Sequence, residues 1–99
     1  MKKSEILEKG KNELITWCYT ISCDENTIIY LEHVFIHKSN QEIENWIKVL
    51  DTKNDELLYP LIKNYILSIK DEKIDNLKLF LKKNKIEFEE GFWDTAEGK

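Results

Sequence analysis

Apolar residues recur along most of this chain at intervals of three and four, which is the spacing of one helix face. This spacing predicts five helices, at 3–21, 24–38, 41–50, 55–69 and 72–83. Residues 86–89 alternate between apolar and acidic, so a short strand is predicted there. Because short gaps favour antiparallel neighbours, we predict an all-α fold: a compact up-and-down bundle of four to five short helices in a single domain, 1–99.

Three helix-start signatures support this pattern. Each places a serine or threonine three residues before an acid, as in a capping box, where the hydroxyl and the acid satisfy free amides at the helix start. The signatures begin at Ser22, Ser39 and Thr52. Each precedes one of the predicted helices, so they support helix starts near 24, 41 and 55.

Residues 27–36 carry two competing patterns. The Thr-Ile-Ile-Tyr run at their start is β-branched and aromatic, which favours a strand. Apolar residues at 28, 31, 34 and 35 nevertheless recur at helical spacing after the Ser22 signature. We predict a helix, and the sequence leaves a strand open as the alternative.

Single residues also predict where the last two helices begin and end. Pro60 is tolerated in a first turn, so it can mark the start of the longer part of the fourth helix. Asp71 is the predicted N-cap of the fifth helix. Asn84 suits the left-handed position that follows a helix.

Composition places the chain among ordinary globular proteins. Of 99 residues, 41% are hydrophobic and 34% are charged. No apolar run approaches membrane-spanning length, and no signal-peptide core follows the first residues, so we expect a cytoplasmic protein. Two cysteines, Cys18 and Cys23, are too few for a disulfide framework and are expected to be thiols. Abundant lysine, isoleucine and asparagine suggest an AT-rich bacterial or phage source.

The charge is unevenly distributed. All 15 basic residues are lysine, and a reader of nucleic acid without arginine is disfavoured because arginine makes the bidentate contacts. Residues 1–85 hold 14 acids and 14 lysines, so the net charge of −4 lies within 86–99. The acidic C-terminal segment is therefore the chain's distinctive electrostatic feature.

The sequence offers little chemistry. We find no phosphate-binding glycine loop and no nucleophile elbow, so we predict that the protein is not an enzyme. His33 and His37 are four residues apart and would share a helix face, which makes them weak candidates for a metal site. We expect no metal and no cofactor.

Nucleic-acid binding is the first alternative function, in the form of a phage or plasmid regulator. Residues 39–66 could form a helix-turn-helix, but the second helix would present acids to the phosphates. The basic patch that could instead carry binding comprises Lys78, Lys82, Lys83 and Lys85. A metal-binding helical protein that uses the two histidines is the second alternative.

The segment 86–99 is the most suggestive part of the chain. It combines aromatic anchors with one sign of charge, a combination that suits an interface with a basic partner. The predicted partner-binding residues are Glu87, Glu89, Glu90, Phe92, Trp93 and Asp94. Folding of the aromatic residues back onto the bundle is the competing interpretation, in which the acids simply face water.

We therefore predict a small protein-interaction module that acts by stoichiometric binding. Its most concrete form is an immunity or antitoxin protein that inhibits a basic toxin, such as a nuclease domain. In size and helical character it is similar to small bacterial immunity proteins, at the level of class and without a shared motif. We expect no membrane partner, and the sequence leaves the partner's identity and the oligomeric state open.

Overall fold

The computed structural model describes residues 2–25, 27–50 and 55–95, which form a five-stranded antiparallel sheet and two helices. The elements in chain order are β1 (Lys2–Lys11), β2 (Ile15–Asp24), β3 (Thr27–Ile36), β4 (Gln41–Val49), α1 (Asp55–Ser68), α2 (Lys73–Lys83) and β5 (Phe88–Asp94). Strand order in the sheet is β1-β2-β3-β4-β5, so β5 returns beside β4 after the helices. The predicted all-α helical bundle is therefore wrong.

The first three predicted helices are all strands. The segment 3–21 contains β1 and most of β2, joined by a turn in which Asn12 Oδ1 accepts the amides of Leu14 and Ile15 at 2.8 and 2.9 Å. For 27–36 the strand alternative is correct, and 41–50 is occupied by β4. These hairpins bring distant segments into register, with Ile21 opposite Tyr30 and Tyr30 opposite Ile47.

Two of the three helix-start signatures fall where a strand meets a turn. The Ser22 signature ends in the β2–β3 hairpin, where Asp24 pairs with Thr27 and Glu25 is left-handed with φ 51°. The Ser39 signature spans a turn in which Asn40 has φ 55° before β4 begins. Thr52 lies outside the described residues. Hydroxyl and acidic side chains bond to nearby backbone in turns as well as at caps, so the same letters serve both structures.

Both C-terminal helices are confirmed, but their ends differ from the prediction. Pro60 lies inside α1 and does not mark its start. The N-cap of α2 is Glu72, which is left-handed and makes no side-chain cap bond, so the prediction of Asp71 is wrong. The predicted strand at 86–89 is replaced by β5, which begins at Phe88 and is longer.

The helices pack on one face of the sheet, which we call the covered face. Side chains that alternate inward from the strands meet apolar residues of α1 and α2. The buried core comprises Ile21, Cys23, Ile28, Tyr30, Ile47, Val49, Tyr59, Ile62, Ile66, Leu77 and Leu81. Among the described residues, no helix packs on the opposite face of the sheet, which we call the open face.

A polar contact ties α1 to the edge strand β1. The hydroxyl of Tyr59 donates to Glu5 Oε2 at 2.7 Å, and Lys63 Nζ donates to Glu5 Oε1 at 3.0 Å. The hydrogen bond from Tyr59, helped by Lys63, lowers the pKa of the Glu5 carboxyl. Glu5 is therefore ionised at neutral pH and anchors the helix to the sheet.

Each edge strand carries a glycine beneath a tryptophan ring. Gly10 of β1 pairs with Trp17, and Gly91 of β5 pairs with Trp46. A Cβ atom at either glycine would overlap the indole ring of its partner. Glycine is therefore required at both positions, because each indole ring packs directly against the glycine backbone. The ring covers backbone that would otherwise be exposed to solvent.

The C-terminal end of α2 is closed by a Schellman motif with lysine in the left-handed position. Lys85 has φ 57°, its amide donates to Lys82 O at 3.1 Å, and the Ile86 amide donates to Leu81 O at 2.9 Å. Asn84 has φ −93°, so its predicted left-handed role is wrong.

We expect Lys85→Gly to raise the free energy of unfolding by about 0.5–1 kcal/mol, because glycine adopts the left-handed conformation without a Cβ penalty. Urea unfolding followed by circular dichroism measures this difference. Lys83→Gly is the matched control, since Lys83 lies within α2, and it should destabilise by about 1 kcal/mol. Destabilisation by both changes would contradict the role assigned to position 85.

Neither described helix is both long enough and apolar enough to cross a bilayer.

Candidate functional site

The predicted partner-binding residues lie on or beside β5, an edge strand of the sheet. Because strand side chains alternate, they fall on both faces. Glu90, Phe92 and Asp94 belong to the covered face, and Glu89 and Trp93 to the open face. Glu87 comes just before the strand. The structure therefore brings the six residues together along one edge, but not on one surface.

Of the three aromatic side chains of β5, Phe92 and Trp93 are exposed, whereas Phe88 is half-buried against the core. The exposed fraction is 51% for Phe92 and 44% for Trp93. The competing interpretation of the sequence, in which the aromatic residues fold back onto the rest of the molecule, holds for Phe88 and does not hold for Phe92 or Trp93. Glu87, Glu89 and Glu90 are exposed as well, so carboxylates flank the two rings.

The backbone of β5 presents unpaired groups outward. The amide of Leu50 donates to Glu87 O and the amide of Thr95 donates to Glu42 O, each at 3.0 Å, so positions 87 and 95 bond toward β4. In an antiparallel ladder such positions alternate. Positions 88, 90, 92 and 94 therefore direct their amides and carbonyls away from β4, toward any strand that would lie alongside.

The two edges of the sheet differ in protection. β1 carries a β-bulge between Ile6 and Glu8 and four lysines, and bulges and lysines are common devices that prevent strand addition. The register of β5 runs unbroken from Phe88 to Asp94, a stretch without lysine or proline. Of the two edges, β5 therefore has the more regular backbone for pairing with a further strand, and its charged side chains are all acidic.

Contacts with neighbouring elements hold β5 in place. Glu90 forms an ion pair with Lys78 of α2 at 3.3 Å, and Gln41 Nε2 donates to the Asp94 carboxylate at 2.7 and 2.9 Å. Thr95 Oγ1 accepts the Glu42 amide at 2.9 Å. Side-chain contacts therefore hold the middle of β5 to α2 and its C-terminal end to β4.

A polar cleft of about 400 Å³ lies on the covered face where residues 70–75, the end of the α1–α2 connection and the first turn of α2, meet the strands. Its floor is a row of residues from four neighbouring strands: Glu8, Tyr19, Glu32 and Asn45. The register continues this row to Phe92 on β5. The cleft was not predicted, because no local sequence pattern links residues on four strands.

One carboxylate in the cleft, Glu32, is partly removed from water. Burial raises the pKa of Glu32, while the Tyr30 hydroxyl, which donates to it at 2.6 Å, and the charge of Lys73 oppose that rise. Burial also raises the pKa of Tyr30, which keeps its hydroxyl protonated as the donor. The cleft adds negative charge beside the covered-face side of β5, and we find no nucleophile–base pair in it.

The helical turn that would bring His33 and His37 close together, as the metal-site hypothesis requires, is not formed. His33 lies on β3 and His37 just after it, so four residues separate them by about 13 Å and not by one helical turn. His33 Nε2 lies 3.4 Å from Glu42 Oε1, and His37 Nε2 lies 2.7 Å from Thr16 Oγ1. In the described residues no group of three or more potential ligands is placed to hold a metal ion.

The helix-turn-helix and the basic patch predicted for nucleic-acid binding also differ from their predicted forms. Residues 41–49 form β4, so no helix-turn-helix spans 39–66. Lys78 is engaged by Glu90 at 3.3 Å and by Asp75 at 3.7 Å. Lys82, Lys83 and Lys85 remain exposed around the end of α2, where they complement the helix dipole.

Comparison of the chain with protein-family models, curated proteins and solved structures found no match. Any function assigned to this protein therefore has to be argued from its own residues. The feature that carries most of that argument is the solvent-exposed edge of the sheet formed by β5, with its acidic and aromatic side chains.

Proposed function

We propose that this protein is a cytoplasmic protein-interaction module that binds a basic partner stoichiometrically by accepting a strand along β5. The observation that carries the proposal is an edge strand of unbroken register with exposed aromatic side chains on both faces. In strand addition the backbone supplies affinity and alternate side chains supply specificity. This mode uses all six predicted residues at once, because an added strand would have neighbours on both faces.

The charge of the edge defines the partner's chemistry. Glu87, Glu89, Glu90 and Asp94 carry four negative charges, and Lys78 offsets one of them. The acids lining the cleft on the covered face add to this potential. A lysine- or arginine-bearing strand would gain charge-assisted contacts on both faces, whereas an acidic strand would be repelled.

The concrete form of the proposal is an inhibitor of a basic toxin, such as a nuclease domain. Such an inhibitor needs no catalytic group. It needs a rigid surface that covers its target with a fixed stoichiometry, and a meander sheet braced by two helices provides one. Negative charge on the inhibitor speeds association with a cationic target, because opposite potentials steer the encounter.

The full chain is tested by capture of partners from its own cell at about 50 and 500 mM salt, since screening weakens exposed charge pairs. We expect a basic protein in 1:1 complex, released at high salt, whose nuclease or other toxic activity is blocked by equimolar protein. An acidic partner, or a complex indifferent to salt, would count against the proposal.

Variants at position 90 separate the backbone from the charge. Proline there removes an outward amide while it leaves the bonds to β4 intact, and proline is tolerated on edge strands. We expect Glu90→Pro to weaken binding of the captured partner by about tenfold or more, and Glu90→Gln to weaken it by about threefold or less. Calorimetric titration measures both. Equal effects of the two variants would show that strand addition is not the mode of binding.

A further inference from the structure

The open face carries seven partly or fully exposed apolar side chains that no described element covers. Its strands place alternate apolar side chains outward beside threonines and serines. The apolar residues of the open face are Ile6, Cys18, Ile29, Leu31, Phe35, Trp46 and Trp93. All seven retain exposure, which reaches 58% at Ile6. Several exposed apolar side chains gathered on one face of a folded domain, within a polar and charged surround, are typical of an interaction site.

Charges on this face are segregated to opposite margins. The β1 margin carries Lys2, Lys9 and Lys11. The β4–β5 margin carries Glu42, Glu44 and Glu89. Each margin also holds one charge of the opposite sign, Asp24 near the lysines and Lys48 near the acids. The β1 margin therefore remains net positive and the β4–β5 margin net negative.

We propose that two copies of this chain pack open face to open face about a two-fold axis parallel to β3. This axis reverses the strand order, so β1 of one protomer lies over β5 of its partner and β2 lies over β4. The basic margin of each copy then faces the acidic margin of the other. A two-fold axis that lies in the same plane but runs across the strands would instead place β1 over β1 and set lysines against lysines. The charge distribution therefore selects the axis parallel to β3.

Register identifies the contacts. Lys9, Cys18, His33, Glu44 and Trp93 occupy one row across the sheet. A two-fold axis parallel to the strands keeps rows aligned, apart from the angle of about −30° between packed sheets. Lys9 of one protomer therefore lies over Trp93 and beside Glu44 of its partner, and the contact occurs twice.

The size of the face suits a stable dimer. Five strands spaced by about 4.8 Å, over about eight residues of about 3.4 Å each, give a projected area near 650 Å². Accessible area exceeds projected area, so each protomer would bury about the 800 Å² per partner found in specific interfaces. The outer backbone edge of β5 stays free in this dimer, whereas Glu89 and Trp93 on its open-face side take part in the dimer contact as well as in the proposed strand addition.

Charge reversal tests the arrangement in the full chain by sedimentation over a range of concentrations. We expect the wild type to form a dimer of twice the 11.9 kDa chain mass. Lys9→Glu and Glu44→Lys should each weaken dimerisation by about tenfold or more, and the double variant should recover to within about threefold of the wild type. Lys82→Glu, at the exposed end of α2, is the control and should leave dimerisation unchanged.

Recovery in the double variant cannot arise within one chain. Position 44 lies three strands from position 9, about 14 Å away, so the two side chains meet only between protomers. Circular dichroism of each variant checks that the fold is retained. A wild type that sediments as a monomer at about 500 µM, or a double variant as weak as the single ones, would overturn the proposal.

Discussion

Truncation of Leu77 to alanine is expected to lower the free energy of unfolding by about 3 kcal/mol, with a range of about 2–5 kcal/mol. Leu77 has an exposed fraction of 0% and belongs to the core between α2 and the sheet. The lost methyl groups forfeit transfer free energy, and the cavity they leave removes dispersion contacts from the surrounding side chains. For a domain of this size, a loss of this magnitude removes much of the net stability.

Leu79→Ala is the matched control, because it makes the same chemical change in the same helix. Leu79 has an exposed fraction of 65%, so its truncation should change stability by about 0.5 kcal/mol or less. Urea unfolding of both variants, at one protein concentration, measures the difference. Equal losses at the two positions would contradict the orientation of α2 on the sheet, and so would a larger loss at 79.

The two C-terminal helices could be predicted from sequence because the spacing of their apolar residues fits a helix face and does not fit a strand face. In α2, apolar residues at helical spacing share one face: Leu77 and Leu81 are fully buried, and Ile74 and Phe80 are partly buried against the core. Strand β4 shows why the same reasoning failed elsewhere. Ile43 and Ile47 are four residues apart, a spacing that puts both on one helix face and equally on one strand face. Trp46 and Val49 distinguish the two, since Trp46 lies on the open face and Val49 is buried beside Ile47 in the core.

Strand β3 misled for a different reason. Its apolar residues form a nearly continuous run, because side chains on both faces of a central strand are shielded by the neighbouring strands. A continuous run satisfies a period of two and a period of 3.6 equally well, so the helical spacing carried no information. The β-branched start of the segment was the better guide.

The candidate site was found in sequence by its composition, while its geometry was not. Acids and rings within 86–99 identified the segment, and the exposure of Phe92 and Trp93 agrees with that choice. That β5 is an edge, that its residues divide between two faces, and that the cleft at Glu32 lies beside it all depend on pairing with β4. That pairing joins residues about 45 positions apart, and no local pattern encodes it.

Replacement of Gly91 by alanine is the second change for which we expect a large effect, a loss of about 2 kcal/mol in the free energy of unfolding. Alanine normally suits a strand better than glycine, so a glycine-to-alanine change in a strand usually raises the free energy of unfolding. Here the new Cβ would overlap the indole of Trp46, which lies across the backbone of β5. Either the ring must leave its position or β5 must move away from β4.

A double-mutant cycle with Trp46→Leu isolates this contact. Trp46→Leu alone should destabilise the protein, because it uncovers the backbone at Gly91. In that background the added methyl group has room, so Gly91→Ala should cost nothing or stabilise by about 0.5 kcal/mol. A cost of Gly91→Ala that is unchanged by loss of the indole would contradict the close approach. Because a displaced ring would also loosen the β5 edge, Gly91→Ala should weaken capture of the partner in parallel with stability, whereas Glu90→Pro should weaken capture alone.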